Sequence, residues 1–180
     1  MKWLNIFFRK STSNDNNNVD MSSKSVKEIG VALYLANEID QALTYLDKAV
    51  EMGINDGIFE YRGCCLQELD YHYNAIEDFN KAIFQNPDNF ANYFSRAISK
   101  GAILDYQGKL EDLKTVSILC KNSEDLKTCT TQILITEMDI EAEEKNKEKL
   151  ENAKTHELRK NIEDSLNMIK QVKLKHIKRR

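Results

Sequence analysis

The chain repeats itself at an interval of 33 to 34 residues. Gly30–Leu33 matches Gly63–Leu66, and Lys48–Val50 matches Lys81–Ile83, each pair 33 positions apart. A third copy follows 34 positions later, with its apolar positions at Ala97, Leu110, Leu113 and Val116. A unit of this length cannot bury its apolar face alone, so such repeats stack on one another. The period therefore predicts a solenoid.

Each copy has the apolar spacing of helices rather than of strands. In the second copy, apolar residues recur at steps of three and four, which predicts a first helix (helix A) over about 57–69 and a second (helix B) over about 73–86. Asn86–Asn89 contains the chain's single proline, which ends helix B and precedes the next helix. One proline and six glycines in 180 residues are too few for a turn-rich β-sandwich or barrel. We expect an all-α fold.

The second copy resembles a tetratricopeptide repeat (TPR). It contains Tyr61–Gly63, Leu69–Tyr71, Ala75–Ile83 and Asn86–Pro87, and the family's signature places are occupied by Phe59, Gly63, Leu66, Ala75, Phe79, Ala82 and Pro87. The first copy matches at Gly30, Ala42, Leu46 and Ala49. The third matches at Tyr93, Arg96, Ala97, Asp105 and Tyr106, but has Lys109 where helix B usually has alanine. The resemblance implies a helical-hairpin solenoid of about three TPR-like repeats.

These patterns divide the chain into three parts. Residues 1–22 form a short amphipathic N-terminal segment and a flexible polar linker, and residues 23–122 form the repeats (23–55, 56–89 and 90–122). Residues 123–180 form a capping helix and a long charged C-terminal helix, because a solenoid needs a terminal element with a polar outer face. The apolar stripe of the last helix does not sustain three heptads, so a coiled coil has only partial support. The sequence leaves open whether this helix projects or folds back.

The net charge of −3 argues against a globally basic nucleic-acid binder. Met1–Lys10 has only six consecutive largely apolar residues, too few for a signal peptide or a membrane span, so we expect a cytoplasmic protein. The chain closes on a basic tip without acids: Lys170, Lys173, Lys175, Lys178, Arg179 and Arg180. An adaptor on an anionic membrane or nucleic acid, using this tip and the N-terminal segment, is therefore an alternative function.

The sequence carries no recognisable catalytic or metal-binding motif. Phosphate-binding, dinucleotide-binding, esterase and zinc-protease motifs are all missing. Cys64 and Cys65 are adjacent, which suits neither a relaxed disulfide nor zinc-ligand spacing, and Cys120 and Cys129 lie far from any histidine. We expect a protein that is not an enzyme and that needs neither a cofactor nor a metal.

The TPR resemblance implies that a protein or peptide partner binds in a concave groove lined by the A helices. The groove residues would be Lys24, Lys27, Val31, Tyr34, Tyr61, Cys64, Phe94 and Ile98. Among them, the apolar and aromatic side chains would anchor a partner segment, and the two lysines would attract an acidic one. One alternative is that the chain's own C-terminal helix fills the groove, and another is self-association through that helix.

One subgroup of the family clamps the C-terminal carboxylate of heat-shock chaperones. Here Lys27 fits the first position of that clamp, but the other positions fall on Val31, Tyr61, Ala91 and Ser95. These side chains cannot supply the charge that a buried carboxylate requires, so we do not expect this specificity.

Overall fold

The computed structural model describes residues 25–153 and 156–174, with the side chains of residues 156 and 157 left out. Within these ranges it contains eight α-helices and no strand: α1 (Val26–Leu35), α2 (Ile39–Glu51), α3 (Phe59–Glu68), α4 (His72–Gln85), α5 (Phe90–Ala102), α6 (Tyr106–Leu119), α7 (Ser123–Asn152) and α8 (His156–Leu174). The all-α prediction is confirmed. Met1–Lys10, Lys24 and the last six residues, which carry most of the basic tip, lie outside the described residues.

The first six helices form three successive A–B pairs, and consecutive helices pack along the whole series from α1 to α7. The turn inside each pair contains one residue in the left-handed conformation, at Asn37, Asp70 and Leu104 (φ 68°, 64° and 67°). Asparagine and aspartate tolerate this conformation, whereas leucine is strained in it. The three positions are 33 and 34 residues apart, so the period of the sequence is also a period of the backbone.

Close approach of the two helices in a pair depends on small residues of helix A. A Cβ atom added to Gly30 would lie 2.9 Å from the side chain of Leu46, and one added to Gly63 would lie 2.8 Å from the ring of Phe79. Leu46 and Phe79 are fully buried. The glycines of the repeat signature therefore make room for the largest side chains of the core.

In the third pair, the sizes of two packed residues are exchanged between the helices. Lys109 of helix B occupies the position of the fully buried Ala42 and Ala75, and it packs over Gly101, whose equivalents in the first two repeats are Tyr34 and Gln67. The larger residue has moved from helix A to helix B. The lysine that departs from the repeat signature is thus accommodated by a glycine.

These contacts predict opposite effects for two Gly→Ala substitutions. Gly63→Ala should destabilise the protein by about 1–3 kcal/mol, because its new methyl group meets the rigid ring of a buried phenylalanine. Gly101→Ala should be neutral or stabilising, because its methyl group meets only the flexible chain of Lys109 while alanine favours the helix. Urea unfolding followed by circular dichroism measures both, and equal effects would contradict the packing described.

Buried ion pairs join the helices of the second and third repeats. The guanidinium of Arg62 on α3 donates two hydrogen bonds, of 2.6 and 2.7 Å, to the carboxylate of Asp78 on α4. Arg96 on α5 donates to Asp112 on α6 in the same way, at 2.9 and 2.6 Å. Both carboxylates are almost fully buried. The third nitrogen of each guanidinium donates to the preceding repeat, Arg62 to Asp47 and Arg96 to Asn80, so these residues also tie neighbouring repeats together.

Helix α7 covers the end of the third repeat. Its N-cap is Asn122, whose side chain accepts a hydrogen bond from the backbone of Glu124. Cys129 is completely buried in a cluster with Leu113 and Val116 of α6, and its thiol bonds to the carbonyl of Leu113 at 3.1 Å. The first half of α7 is therefore the expected capping helix.

The C-terminal helix folds back on the capping helix. Helix α7 ends at Asn152, and Arg159 at the start of α8 donates hydrogen bonds to the carbonyls of Glu151 and Ala153. At the other end of α8, the ammonium of Lys173 lies 3.2 Å from the hydroxyl of Tyr106 on α6. Of the two arrangements that the sequence leaves open, the structure shows the one in which the last helix returns.

Among the helices described, none has the length and apolar character needed to cross a membrane.

Candidate partner-binding groove

The A helices α1, α3 and α5 form one continuous layer, because α3 contacts both of the others. Tyr34 of α1 and Tyr61 of α3 meet edge to face, with their ring centres 5.8 Å apart. Between α3 and α5, the amide nitrogen of Gln67 donates to the carbonyl of Ser95 at 2.8 Å and to the hydroxyl of Ser99 at 2.6 Å. We call the outward side of this layer the A-helix face.

Four of the eight predicted groove residues are partly exposed on this layer. They are Lys27, Val31, Tyr61 and Ile98. Three others are buried in the interior, with exposed fractions of 5%, 2% and 5% for Tyr34, Cys64 and Phe94. The eighth, Lys24, lies outside the described residues. A partner could reach the first four directly, but not the three buried ones.

Tyr34 and Cys64 are buried because they pack against each other in the core of the first two repeats. Burial raises the pKa of both groups far above their usual range, and the neighbouring thiols and Glu68 add to the shift at Tyr34. Burial also raises the pKa of Cys65 to about 12 and that of Cys129 to about 11. These thiols are therefore protonated near neutral pH and are poor nucleophiles.

Phe94 is buried because the capping helix covers the third repeat. It belongs to the same cluster as Cys129 of α7, and Ile98 and Ile133 pack against that cluster. The prediction of Phe94 as a surface anchor did not allow for this cover. The open part of the A-helix face is consequently centred on α1 and α3, with Ile98 at its edge.

Lys27 is held by the turn between the first and second repeats. Its ammonium donates to the backbone carbonyl of Asp56 and interacts electrostatically with Glu60. Burial raises the pKa of the Glu60 carboxyl, an effect that Lys27 opposes. Lys27 is thus committed to contacts within the chain rather than presented to an acidic partner.

Acidic side chains also lie on this face, although the groove residues named in the sequence analysis include none. Glu60 precedes Tyr61 and also accepts a hydrogen bond from Asn89 at 3.3 Å. Glu68 at the end of α3 is exposed as a whole, and partial burial of its carboxylate together with the negative charge of Asp70 raises its pKa. Residues 23–122 contain fifteen acidic and ten basic side chains, and this excess of acidic residues was the signal in the sequence that indicated an acidic face.

The positions of the carboxylate clamp contain little that could bind a carboxylate. Ser95 is 1% exposed and its carbonyl is occupied by Gln67, while Ala91 has no side-chain donor. Over residues 25–153 and 156–174, no three histidine, cysteine or acidic side chains are grouped so that they could hold a metal ion.

No family model matches this chain, and none of the curated proteins matches it. Among solved structures, the chain is similar to the TPR domain of Arabidopsis OM64. The two share 21% sequence identity and superpose with a TM-score of 0.55 over 62% of this chain and 90% of that domain. The protein therefore has a TPR-like fold, which confirms the resemblance seen in its sequence.

Proposed function

We propose that the protein is a non-catalytic interaction module that binds a segment of a partner protein on its A-helix face. The observation that carries the proposal is the half-buried ring of Tyr61, seated on Tyr34 in the middle of a continuous layer of A helices. An aromatic ring fixed against a buried neighbour loses little entropy when a partner covers it. Val31 and Ile98 extend the apolar surface on either side.

The charges of this face favour an apolar segment with basic flanks. Glu60 and Glu68 lie on the same helix as Tyr61, and Lys27 is occupied by Asp56. A basic residue beside the bound segment would pair with Glu68, which is exposed, whereas an acidic segment would meet like charge. The sequence analysis, in contrast, expected an acidic partner.

Point variants on the exposed part of the face test the proposal. Tyr61→Ala and Ile98→Ala should each weaken capture of the partner from a host extract at least about tenfold, as expected for an interface anchor. Tyr73→Ala is the matched control, because Tyr73 is 61% exposed on helix B of the same repeat, away from the A-helix layer. All variants should keep the wild-type helix content by circular dichroism. Equal capture by all three would contradict binding at this face.

The basic tip and the N-terminal segment offer a different function, as an adaptor on an anionic membrane or nucleic acid. Most of the residues concerned lie outside the described ranges, so this stays a prediction from the sequence. Binding through a cluster of lysines and arginines falls steeply with salt concentration, whereas binding at an apolar face falls little. A salt titration of the captured partner therefore distinguishes the two.

A further inference from the structure

The hairpin formed by α7 and α8 has an apolar surface that the rest of the described chain leaves uncovered. On α7, Leu134 and Met138 are 60% and 62% exposed, and on α8, Met168, Ile169 and Val172 are 70%, 53% and 61% exposed. Leu134 and Met138 are four residues apart, as are Met168 and Val172, so each pair lies along one side of its helix. We call these four residues the outer apolar face.

Both stripes lie on the side of the hairpin that faces away from the repeats. On α7, the buried residues Cys129 and Thr136 point towards α6, and at 100° per residue Leu134 and Met138 fall on the opposite side. On α8, Leu166, Ile169 and Lys173 line the cavity against α7, which leaves Met168 and Val172 on the outward side. The hairpin is thus apolar on two sides, and the repeats cover only one of them.

The size of this face matches a weak but specific interface. Helix α8 has 19 residues, so the side of the hairpin that contains this face, two helices about 28 Å long and about 10 Å wide, offers roughly 550 Å² to a second copy. Two such faces would bury about 1,100 Å² in total, just above the lower limit for specific protein–protein interfaces.

The charges beside the face favour a second hairpin of the same kind. Helix α7 carries nine acidic and four basic side chains, whereas α8 carries three acidic and four basic ones. Two copies related by a two-fold axis parallel to the helices place the acidic α7 of each across from the basic α8 of the other. Each copy then supplies both an apolar stripe and a helix of opposite net charge.

We propose that the outer apolar faces of two copies pack together, so that the protein forms a dimer through a four-helix bundle of α7 and α8. The A-helix faces lie on the repeats, outside the four-helix bundle, so the dimer presents two partner-binding surfaces. A pair of sites on one particle increases the apparent affinity for a partner that carries two binding segments.

The test is the mass of the full chain in solution, measured by sedimentation equilibrium over a concentration series. The wild-type protein should approach twice the 20.9 kDa of one chain at about 100 µM, as expected for an interface of low area. The double variant Met138→Glu/Val172→Glu should dissociate at least about 100-fold more easily, because it would bury two charges on each side. Phe84→Glu, at a side chain that is 90% exposed on α4, is the control and should leave the dimer intact.

Three results of the sedimentation experiment would overturn the proposal. They are a wild-type mass of 20.9 kDa at every concentration, an unchanged mass for the double variant, and an equal loss of mass in the Phe84→Glu control. Circular dichroism of each variant checks that its helices are intact, and the exposed positions are chosen so that folding does not depend on them. Binding of the wild-type monomer to anionic vesicles through this face would also overturn the proposal, in favour of a membrane surface.

Discussion

Replacing Arg62 with methionine is expected to lower the free energy of unfolding by about 3 kcal/mol. The substitution leaves the carboxylate of Asp78 buried, at 1% exposure, with only Lys81 at 3.5 Å as a charged partner. It also removes the bond from Arg62 to Asp47 of the first repeat. The free-energy cost of leaving this carboxylate buried without its main partner exceeds the free energy that the packing of methionine restores. Urea unfolding of the variant and the wild type measures the difference.

The first repeat shows what should replace the pair. Its equivalents of Arg62 and Asp78 are Ile29 and Tyr45, which pack against the core without any charge. The double variant Arg62→Ile/Asp78→Tyr should therefore recover most of the stability lost by the single one, because an apolar pair can substitute for a buried ion pair. No recovery in the double variant would show that the loss has another cause.

An exposed ion pair provides the control for this prediction. Lys145 and Glu141 on α7 are separated by only 2.6 Å, but both side chains are 64% exposed. Lys145→Met should change the stability little, because water screens the pair. A loss as large as that of Arg62→Met would mean that burial does not decide the strength of these contacts.

Ending the chain after Lys121 is expected to unfold the third repeat. This removes Cys129 and Ile133, whose side chains complete the apolar cluster of α5 and α6, and it exposes Phe94 and Val116. Each buried apolar side chain contributes about 1.5–3 kcal/mol, so the loss should reach at least about 3 kcal/mol. Hydrogen exchange followed by mass spectrometry should show the loss of protection in α5 and α6, with α1 to α3 less affected, because repeats are stabilised by their neighbours.

Ending the chain after Ala153 is the matched truncation. It removes α8 but keeps the capping contacts of α7, so the protection of α5 and α6 should stay close to that of the full chain. If both truncations expose the third repeat equally, α8 rather than α7 is the cap. If neither does, the third repeat is stable without any cap.

The sequence predicts the architecture well because the residues that make contacts between neighbouring helices recur at the repeat interval. Gly30 and Gly63 lie where two helices approach closely, and Leu46 and Phe79 fill the space beside these glycines. Asn122 and the acids after it identify the start of the capping helix by the chemistry of its N-terminus alone. Such signals are local, so a single sequence contains them.

The site is harder to predict because exposure depends on what covers each residue. Phe94 occupies a groove position by the repeat pattern, but α7 completes the cluster that buries it, and that helix lies nearly thirty residues further along the chain. Tyr34 and Cys64 lie on the inward side of their helices, in the core of the first two repeats. Lys27 is occupied by a backbone carbonyl, and no sequence pattern marks such an acceptor.

The most direct measurement of the central claim is site-specific photo-crosslinking in an extract of the native host. A photoreactive residue at Tyr61 or at Ile98 should crosslink to the same partner, because both side chains are partly exposed on the A-helix face. The same residue at Tyr73 or at Phe84, both strongly exposed on helix B of the second repeat, should not. Crosslinks from Tyr73 or Phe84 alone, or equal crosslinks from all four positions, would contradict binding at this face.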